Sequence, residues 1–188
     1  MTTKKNNEKA YISILRGINV GGNKKIKMDA LREMYSELGY THVQSYIQSG
    51  NVIFSTEKND TESLQKTISA KIKESFGFDV PVLVYTAKEM KTNLENNPFK
   101  DDSSKDVAFI HLTFLSTIPE KSLVEKITTS SFAPDEFILT GKVLYLYCPN
   151  GYGQTKLTNT FFENKLKLTA TTRNLKTATE LLNVAEKN

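Results

Sequence analysis

Residues 43–55, VQSYIQSGNVIFS, contain two β-prone runs on either side of a glycine-bearing turn, and this stretch decides the fold. The runs at 43–47 and 52–55 are rich in β-branched and aromatic side chains, which favour strands. Between them, Gln48-Ser49-Gly50-Asn51 has the composition of a tight turn. The stretch therefore predicts a β-hairpin.

The residues on both sides of this hairpin complete a recognisable order of strands and helices. Residues 11–16 alternate with a period of two, which predicts a strand, and a glycine-bearing loop at 17–27 leads into a helix that should end at Gly39. After the hairpin, apolar residues at steps of four predict a second helix behind the capping residue Asp60, and a strand follows at 80–85. The order strand, helix, strand, strand, helix, strand is that of a ferredoxin-like unit.

The second half of the chain repeats this order with different residues. Its predicted elements are a strand at 107–115, a helix at 119–129 entered through Thr117 and Glu120, hairpin strands at 137–140 and 143–147, a helix around 157–166, a strand at 168–171 and a terminal helix capped by Asn174. The sequence TGKV at 140–143 also echoes SGNV at 49–52.

We therefore predict an α+β protein of two ferredoxin-like βαββαβ subdomains, each an antiparallel sheet with helices on one face. A capping box at Thr86 and Glu89 predicts one more short helix before the subdomains separate. The predicted organisation is a disordered tail at 1–9, a first subdomain at 10–98, a charged linker at 99–106 and a second subdomain at 107–188 that includes the C-terminal helix.

Composition narrows the class of protein without identifying a function. Lys and Arg exceed Asp and Glu by 25 to 21, a formal net charge of +4 that suits an anionic partner but is also common on ordinary solvated surfaces. Cys148 is the only cysteine, so no internal disulfide forms, and a reducing cytoplasm is the expected location. The sequence shows neither a signal peptide nor an apolar run long enough for a membrane span.

Three motifs resemble one bacterial family. They are LRGINVGG at 15–22, YIQSGNV at 46–52 and TTRN at 171–174, and the resemblance extends over residues 11–182. On these residues the chain is similar to the family called domain of unknown function 1697. The resemblance implies two differently decorated ferredoxin-like subdomains and implies no activity, because none is established for the family.

The loop at 17–27 and the neighbouring turn are the first candidate ligand site. Glycines let backbone N–H groups approach an anion, and a helix start follows the loop. Neither the P-loop nor the dinucleotide-binding fingerprint is present. Ferredoxin-like topology places this loop beside the hairpin turn, so we expect the two to face a common space. The candidate residues are Arg16, Asn19, Gly21, Gly22, Lys24, Gln48, Ser49 and Asn51.

The second half supplies a further set of candidate ligand residues, Lys156, Arg173 and Asn174. They lie in segments that lead into helix starts, Lys156 before the helix around 157–166 and Arg173 and Asn174 before the terminal helix. For each set a structural role is the alternative, since Asn174 suits a helix cap and Arg16 and Arg173 suit hydrogen bonds to loop carbonyls.

The best function from sequence is the binding of a phosphate- or carboxylate-bearing small molecule. One alternative is a single-stranded nucleic-acid-binding module, because ferredoxin-like sheets with exposed aromatic residues stack bases. Another is an enzyme of unknown class, although no acid, base or nucleophile constellation is legible. Two separated histidines and one cysteine favour neither a metal site nor a Cys-His pair, and no cofactor is expected.

Overall fold

The computed structural model describes residues 8–58 and 60–188. Most of the predicted tail, residues 1–7, lies outside this range, and Lys9 already belongs to the first strand. The first half contains β1 (Lys9–Leu15), α1 (Met28–Glu37), β2 (Thr41–Tyr46), β3 (Asn51–Thr56), α2 (Thr61–Phe76), β4 (Val82–Thr86) and α3 (Ala87–Glu95). The second half contains β5 (Ile110–Leu115), α4 (Lys121–Thr128), β6 (Glu136–Thr140), β7 (Val143–Tyr147), α5 (Asn159–Leu166), β8 (Ala170–Asn174) and α6 (Leu175–Ala185).

Each half forms a four-stranded antiparallel sheet, in the order β2-β3-β1-β4 and β6-β7-β5-β8. This is the ferredoxin-like arrangement, so the predicted α+β fold of two similar halves is confirmed. The first strand of each half lies in the middle of its sheet because it pairs with both the third and the fourth. The loops that leave the middle strand therefore lie at the end of the sheet, next to the hairpin turn.

Each sheet packs two of the helices against one face. In the first half, residues on β1, β3 and β4 form a buried cluster with α1 and α2 that includes Tyr11, Phe54, Leu31 and Ile68. In the second half, β7 contributes Leu144 and Leu146 to a cluster with Leu157 and Phe162. Burying such side chains stabilises the fold by about 1.5–3 kcal/mol each.

Predicted capping residues account for several of the observed helix ends. The Asp60 carboxylate accepts hydrogen bonds from the amides of Glu62 and Ser63 at the start of α2, which ends at Gly77 in the left-handed conformation. Thr86 and Glu89 form the capping box of α3, with each side chain accepting the other residue's amide hydrogen.

Three of the differences between the predicted and observed elements have a local explanation or affect a predicted cap. Residues Val107–Phe109 form a 3₁₀ turn instead of the start of a strand, because the Asp106 side chain caps this turn through the Ala108 amide. Helix α4 begins at Lys121 with Glu120 as its N-cap residue, and no side-chain hydrogen bond caps it. The last strand runs from Ala170 to Asn174, because pairing with β5 extends it beyond the apolar residues.

The hairpin echo between the two halves is out of register by one residue. The Leu15 amide donates to Gly50 O, and the corresponding amide of Leu115 donates to Lys142 O. The position of Gly50 is therefore matched by Lys142, and not by Gly141 as the sequence echo predicted. Both glycines have positive φ, but only in the first hairpin is there no room for a side chain, because a Cβ on Gly50 would lie 2.8 Å from side-chain atoms of Ile18 and Leu15.

Contacts divide the chain into two compact units. The first extends up to Lys91 and includes Leu181–Asn188, and the second is Thr92–Glu180. The division thus falls within α3, while the predicted linker at 99–106 lies inside the second unit, where Phe99 is buried. Within the described ranges, none of the helices is both long enough and apolar enough to cross a membrane.

Candidate functional site

Asn19 holds the loop between β1 and α1 in a fixed position. Its amide nitrogen donates to Ile26 O and to Gln48 O, each at 2.9 Å, and its Oδ1 accepts the Ile26 amide at 2.9 Å. The Asn19 backbone is left-handed, with φ of 56°, a conformation that asparagine tolerates better than most residues. One side chain thus closes the base of the loop and attaches it to the hairpin turn.

The tip of the loop is a tight two-residue turn that faces solvent. The Asn23 amide donates to Val20 O, and Gly21 and Gly22 between them both have positive φ, as in a type I′ turn. Both glycines are exposed. Within residues 8–58 and 60–188, neither glycine amide donates a backbone hydrogen bond. Their N–H groups are therefore directed to solvent.

The three lysines of the loop have different surroundings. Lys24 is half-buried, and its Nζ donates to Asp79 O at 2.5 Å, which connects the loop to the segment before β4. Lys25 and Lys27 are exposed. Lys27 is the N-cap residue of α1, and no side-chain hydrogen bond caps this helix. Positive charge thus surrounds a helix start whose amides lack a side-chain acceptor.

One acidic side chain lies in the same region. Asp29 is in the first turn of α1 and pairs with Arg32, which also donates to Ser45 Oγ at 2.5 Å. An Asp in a first turn stabilises the helix through its dipole. Because Arg32 neutralises Asp29, the loop keeps an excess of positive charge from Lys25 and Lys27.

The remaining predicted residues of the first set participate in the hairpin and the strand end. The Arg16 amide donates to Pro81 O at 2.9 Å, and this half-buried residue has a further interaction. The buried Asn51 side chain donates to Tyr46 O and to Ser49 Oγ, both at 3.0 Å. Gln48 meets Asn19 through its backbone carbonyl. The structure brings the loop and the turn together, and Asn19 and Asn51 use their side chains to hold them.

Two large exposed apolar residues, Val20 and Ile47, are the sequence neighbours of the hydrogen-bonded Asn19 and Gln48. Val20 is 62% exposed and Ile47 is 50% exposed. Ile47 also has φ of 50°, a left-handed conformation in which a β-branched residue is strained. Strain of this kind is concentrated at functional sites. An apolar rim therefore accompanies the charged loop.

The second predicted set occupies a different region of the second unit. Lys156 is exposed and lines a cavity of about 190 Å³. The Arg173 side chain donates to Thr171 Oγ1 and Thr172 O, at 3.0 and 2.8 Å. Asn174 Oδ1 accepts the Thr177 amide at 2.8 Å and so caps α6. Arg173 and Asn174 thus have structural roles, in hydrogen bonds to neighbouring residues and in capping α6.

A hydroxyl-rich network in the second unit was not predicted. Thr172 Oγ1 donates to Asn159 Oδ1 at 2.7 Å, accepts from Tyr152 Oη at 3.0 Å, and shares a hydrogen bond of 2.7 Å with Thr113 Oγ1. Since Thr172 has a single hydroxyl hydrogen, Thr113 is the donor in that bond. The only sequence signal was the polar run at 171–174, which begins at the end of the predicted strand at 168–171.

His111 and Cys148 lie at the same end of the second sheet. The His111 ring stacks on Tyr152 at 4.9 Å, and burial lowers the pKa of His111, although its hydrogen bond to Phe109 O acts in the opposite direction. Cys148 is fully buried, and burial raises the pKa of its thiol to about 11. A protonated, buried thiol is a poor nucleophile.

Several aromatic rings on the strands are buried, and no metal-binding cluster is found in the described part of the chain. Base stacking on a sheet requires exposed aromatic rings, but the strand residues Tyr11, Phe54 and Tyr145 are no more than 1% exposed. Among residues 8–58 and 60–188, no three or more His, Cys, Asp and Glu side chains are grouped so as to hold a metal ion.

Known proteins resemble this chain in fold. A solved structure, described as a conserved bacterial protein SP0830 from Streptococcus pneumoniae, matches with a TM-score of 0.75 and 21% identity over 95% of this chain and 99% of that one. At this identity the likeness concerns the fold alone. No curated protein matches the chain.

One family model covers most of the sequence. The family described as a protein of unknown function, DUF1697, matches residues 9–145. This range contains the first two motifs, at 15–22 and 46–52, and ends within β7. The chain therefore belongs to the DUF1697 family.

Proposed function

We propose that this protein binds a small phosphate- or carboxylate-bearing molecule at the loop between β1 and α1. The supporting observation is the exposed pair Lys25 and Lys27 beside the start of α1, which no side chain caps. Free amides at a helix start and nearby cations both attract anions. In this proposal the ligand's anionic group lies between these lysines and the first-turn amides.

The fixed geometry of the loop supports the same role. Asn19 closes its base with three hydrogen bonds, and Lys24 attaches it to Asp79 O. A loop that is already ordered loses little conformational freedom when the ligand binds. In the proposal, Asn19 and Lys24 are positioning residues and Lys25 and Lys27 contact the anion.

The apolar rim indicates an organic anion. Val20 and Ile47, which adjoin Asn19 and Gln48 in the sequence, are both exposed. An apolar group attached to the anion would contact these side chains and gain about 25 cal/mol for each Å² removed from water. Phenyl phosphate should therefore bind more tightly than inorganic phosphate.

Isothermal titration calorimetry on charge-matched variants tests the proposal. The double variant Lys25→Gln/Lys27→Gln is compared with Lys66→Gln/Lys165→Gln, which removes two exposed lysines from α2 and α5. With pyrophosphate and phenyl phosphate as probes, we expect the first variant to bind at least fivefold more weakly and the second to bind as the unchanged protein does. Equal losses in both variants, or no binding by the unchanged protein, would contradict the proposal.

A single-stranded oligothymidylate in the same titration tests the nucleic-acid alternative. Binding through phosphates alone weakens steeply with salt. If the oligonucleotide binds more tightly than pyrophosphate at physiological salt, the partner is a nucleic acid and the small-molecule proposal is wrong.

The cytoplasmic location is part of the same proposal. A small charged metabolite is a cytoplasmic ligand, and the only cysteine of the chain is a free, buried thiol. Such a protein gains nothing from an oxidising compartment.

A further inference from the structure

The second unit contains a small polar cavity that is separate from the loop of the proposed anion site. It has a volume of about 190 Å³ and lies between the loop before β6 and the loop after β7. The residues that line it are Ser131, Phe132, Ala133, Pro134, Asp135, Asn150, Gln154 and Lys156. Binding pockets for drug-sized molecules are larger, roughly 300 Å³ or more, so this cavity suits only a compact ligand.

Two opposite charges line the cavity without neutralising each other. Asp135 and Lys156 both face it, yet the salt bridges described for this unit involve Lys105 and Lys121, and none joins Lys156 to Asp135 within 4.0 Å among the described residues. A ligand with a cationic and an anionic group would satisfy both side chains at once. A simple anion or cation would satisfy only one of them.

The acidic side of the cavity is held rigidly. The Thr155 hydroxyl is in a buried residue and donates to Asp135 Oδ2 at 2.6 Å, while its oxygen accepts the Leu157 amide at 3.0 Å. This bond fixes the orientation of the carboxylate but uses only one of its acceptor positions. The other carboxylate positions remain able to accept hydrogen bonds from an ammonium group.

The apolar wall of the cavity is equally well fixed. Phe132 packs edge-on against Phe137 and Phe161, with ring centroids 5.8 and 5.3 Å apart. A wall that is already ordered in the empty cavity reduces the entropy lost on binding. Asn150 and Gln154 add carboxamide donors and acceptors next to Lys156.

We infer that this cavity binds a small zwitterion of the α-amino-acid type. Its carboxylate contacts Lys156 and the carboxamides of Asn150 or Gln154, its ammonium contacts Asp135, and a short side chain contacts Phe132. The limited volume selects glycine, alanine or serine over amino acids with large side chains. This site is separate from the proposed anion site, where the Asp29 carboxylate pairs with Arg32.

Titrations of the full chain followed by NMR test the inference. The probes are glycine, L-alanine and L-serine at neutral pH, with acetate and methylammonium as ligands that carry only one of the two charges. We expect the amino acids to shift the side-chain amide signals of Asn150 and Gln154, and to bind at least tenfold more tightly than acetate or methylammonium.

Isosteric variants test whether Lys156 and Asp135 contact the two charged groups of the ligand. Lys156→Gln and Asp135→Asn should each weaken binding of L-alanine at least tenfold, because each leaves one charge of the ligand without a partner. The matched variants Lys165→Gln and Asp101→Asn alter exposed charges elsewhere in the unit and should have no effect. If Asp135→Asn fails to fold, Lys156→Gln carries the test.

Three results would overturn the inference: no shift with any amino acid, equally tight binding of acetate, or unchanged L-alanine binding in both cavity variants. The double variant Lys25→Gln/Lys27→Gln separates this site from the anion site. Because it leaves the cavity intact, it should bind L-alanine like the unchanged protein, and a loss of L-alanine binding there would also contradict the inference.

Discussion

The two units share one strand order but differ in where they place polar groups. In the first unit they lie in the long connection between β1 and α1, where Asn19 closes a basic glycine loop over the end of the sheet. In the second unit the equivalent connection, between β5 and α4, is short and carries the exposed Ile118. Its polar groups lie on the sheet itself, around Thr172.

Equivalent positions on the two middle strands form different hydrogen bonds within the same strand order. Ser13 and Thr113 occupy matching places on the middle strands, two residues before Leu15 and Leu115. The Ser13 hydroxyl forms two buried hydrogen bonds, one of 2.7 Å with Tyr35 and one of 3.1 Å to Val52 O, whereas Thr113 belongs to a network of four side chains. The sheet order thus constrains the backbone, and each unit distributes its hydrogen bonds differently within it.

The two hairpin turns should differ most in their tolerance of a methyl group. Gly50→Ala combines a left-handed backbone with a clash against Ile18 and Leu15, and we expect a loss of about 3 kcal/mol in the free energy of unfolding. Gly141→Ala meets open space and should lose only about 1 kcal/mol from its positive φ. Urea denaturation measures both, and equal losses would show that the Gly50 contact is relieved by side-chain movement.

The hydroxyl network around Thr172 should contribute more to the free energy of unfolding than the Ser13–Tyr35 hydrogen bond of the first unit does. Thr172→Val leaves Tyr152, Asn159 and Thr113 without their shared partner, and we expect a loss of about 2 kcal/mol.

The matched change is Tyr35→Phe, which leaves Ser13 bonded to Val52 O and should lose about 1 kcal/mol. Denaturation of the two variants under identical conditions compares them directly. If Tyr35→Phe is the more destabilising change, the contrast between the units is wrong.

The Asn19 side chain should order the loop as well as stabilise it. Asn19→Gly removes its three hydrogen bonds but keeps a residue that accepts positive φ, so we expect a loss of about 1.5 kcal/mol. Hydrogen exchange should show faster exchange of the Ile26 amide, whose acceptor is Asn19 Oδ1. Asn23→Gly, which leaves the three Asn19 side-chain hydrogen bonds intact, is the control. Unchanged exchange at Ile26 in Asn19→Gly would show that the Asn19 side chain does not order the loop.

The smallest expected effect is a pH dependence confined to the second unit. Burial lowers the pKa of His111 below its usual value of 6.5, so the unfolded chain takes up a proton at a higher pH than the folded protein does. The free energy of unfolding should therefore fall as the pH decreases below 6.5.

Tyr11, which occupies the matching position in the first unit, has a pKa raised above 10.0 by burial and does not titrate in this range. The difference in unfolding free energy between pH 7.5 and 5.5 should therefore shrink in His111→Gln. An unchanged difference would assign the pH dependence to other groups.

Sequence patterns predicted the architecture because strands and helices carry periodic signals over many residues. The hairpin at Gly50, the cap at Asp60 and the capping box at Thr86 depend on nearby residues alone, and each was found as predicted. Residues 107–109 were misassigned because their apolar character suits a strand, while the Asp106 cap that turns them is a single side-chain contact.

The candidate sites were less predictable because they depend on contacts between distant residues. Topology predicted that the first loop would meet the hairpin turn, as the Asn19–Gln48 contact shows. The cavity that Asp135 and Lys156 line was not predicted, since it requires two loops to fold towards each other. The available signals were the turn residues Pro134-Asp135 and Pro149-Asn150-Gly151, which mark loops but do not pair them.

An NMR titration of the unchanged protein with pyrophosphate tests the central claim most directly. If the loop between β1 and α1 binds the anion, the amide signals of Gly21, Gly22 and the first turn of α1 shift together and saturably, with one dissociation constant. Shifts spread evenly over the surface lysines, or confined to residues outside this loop, would contradict the claim.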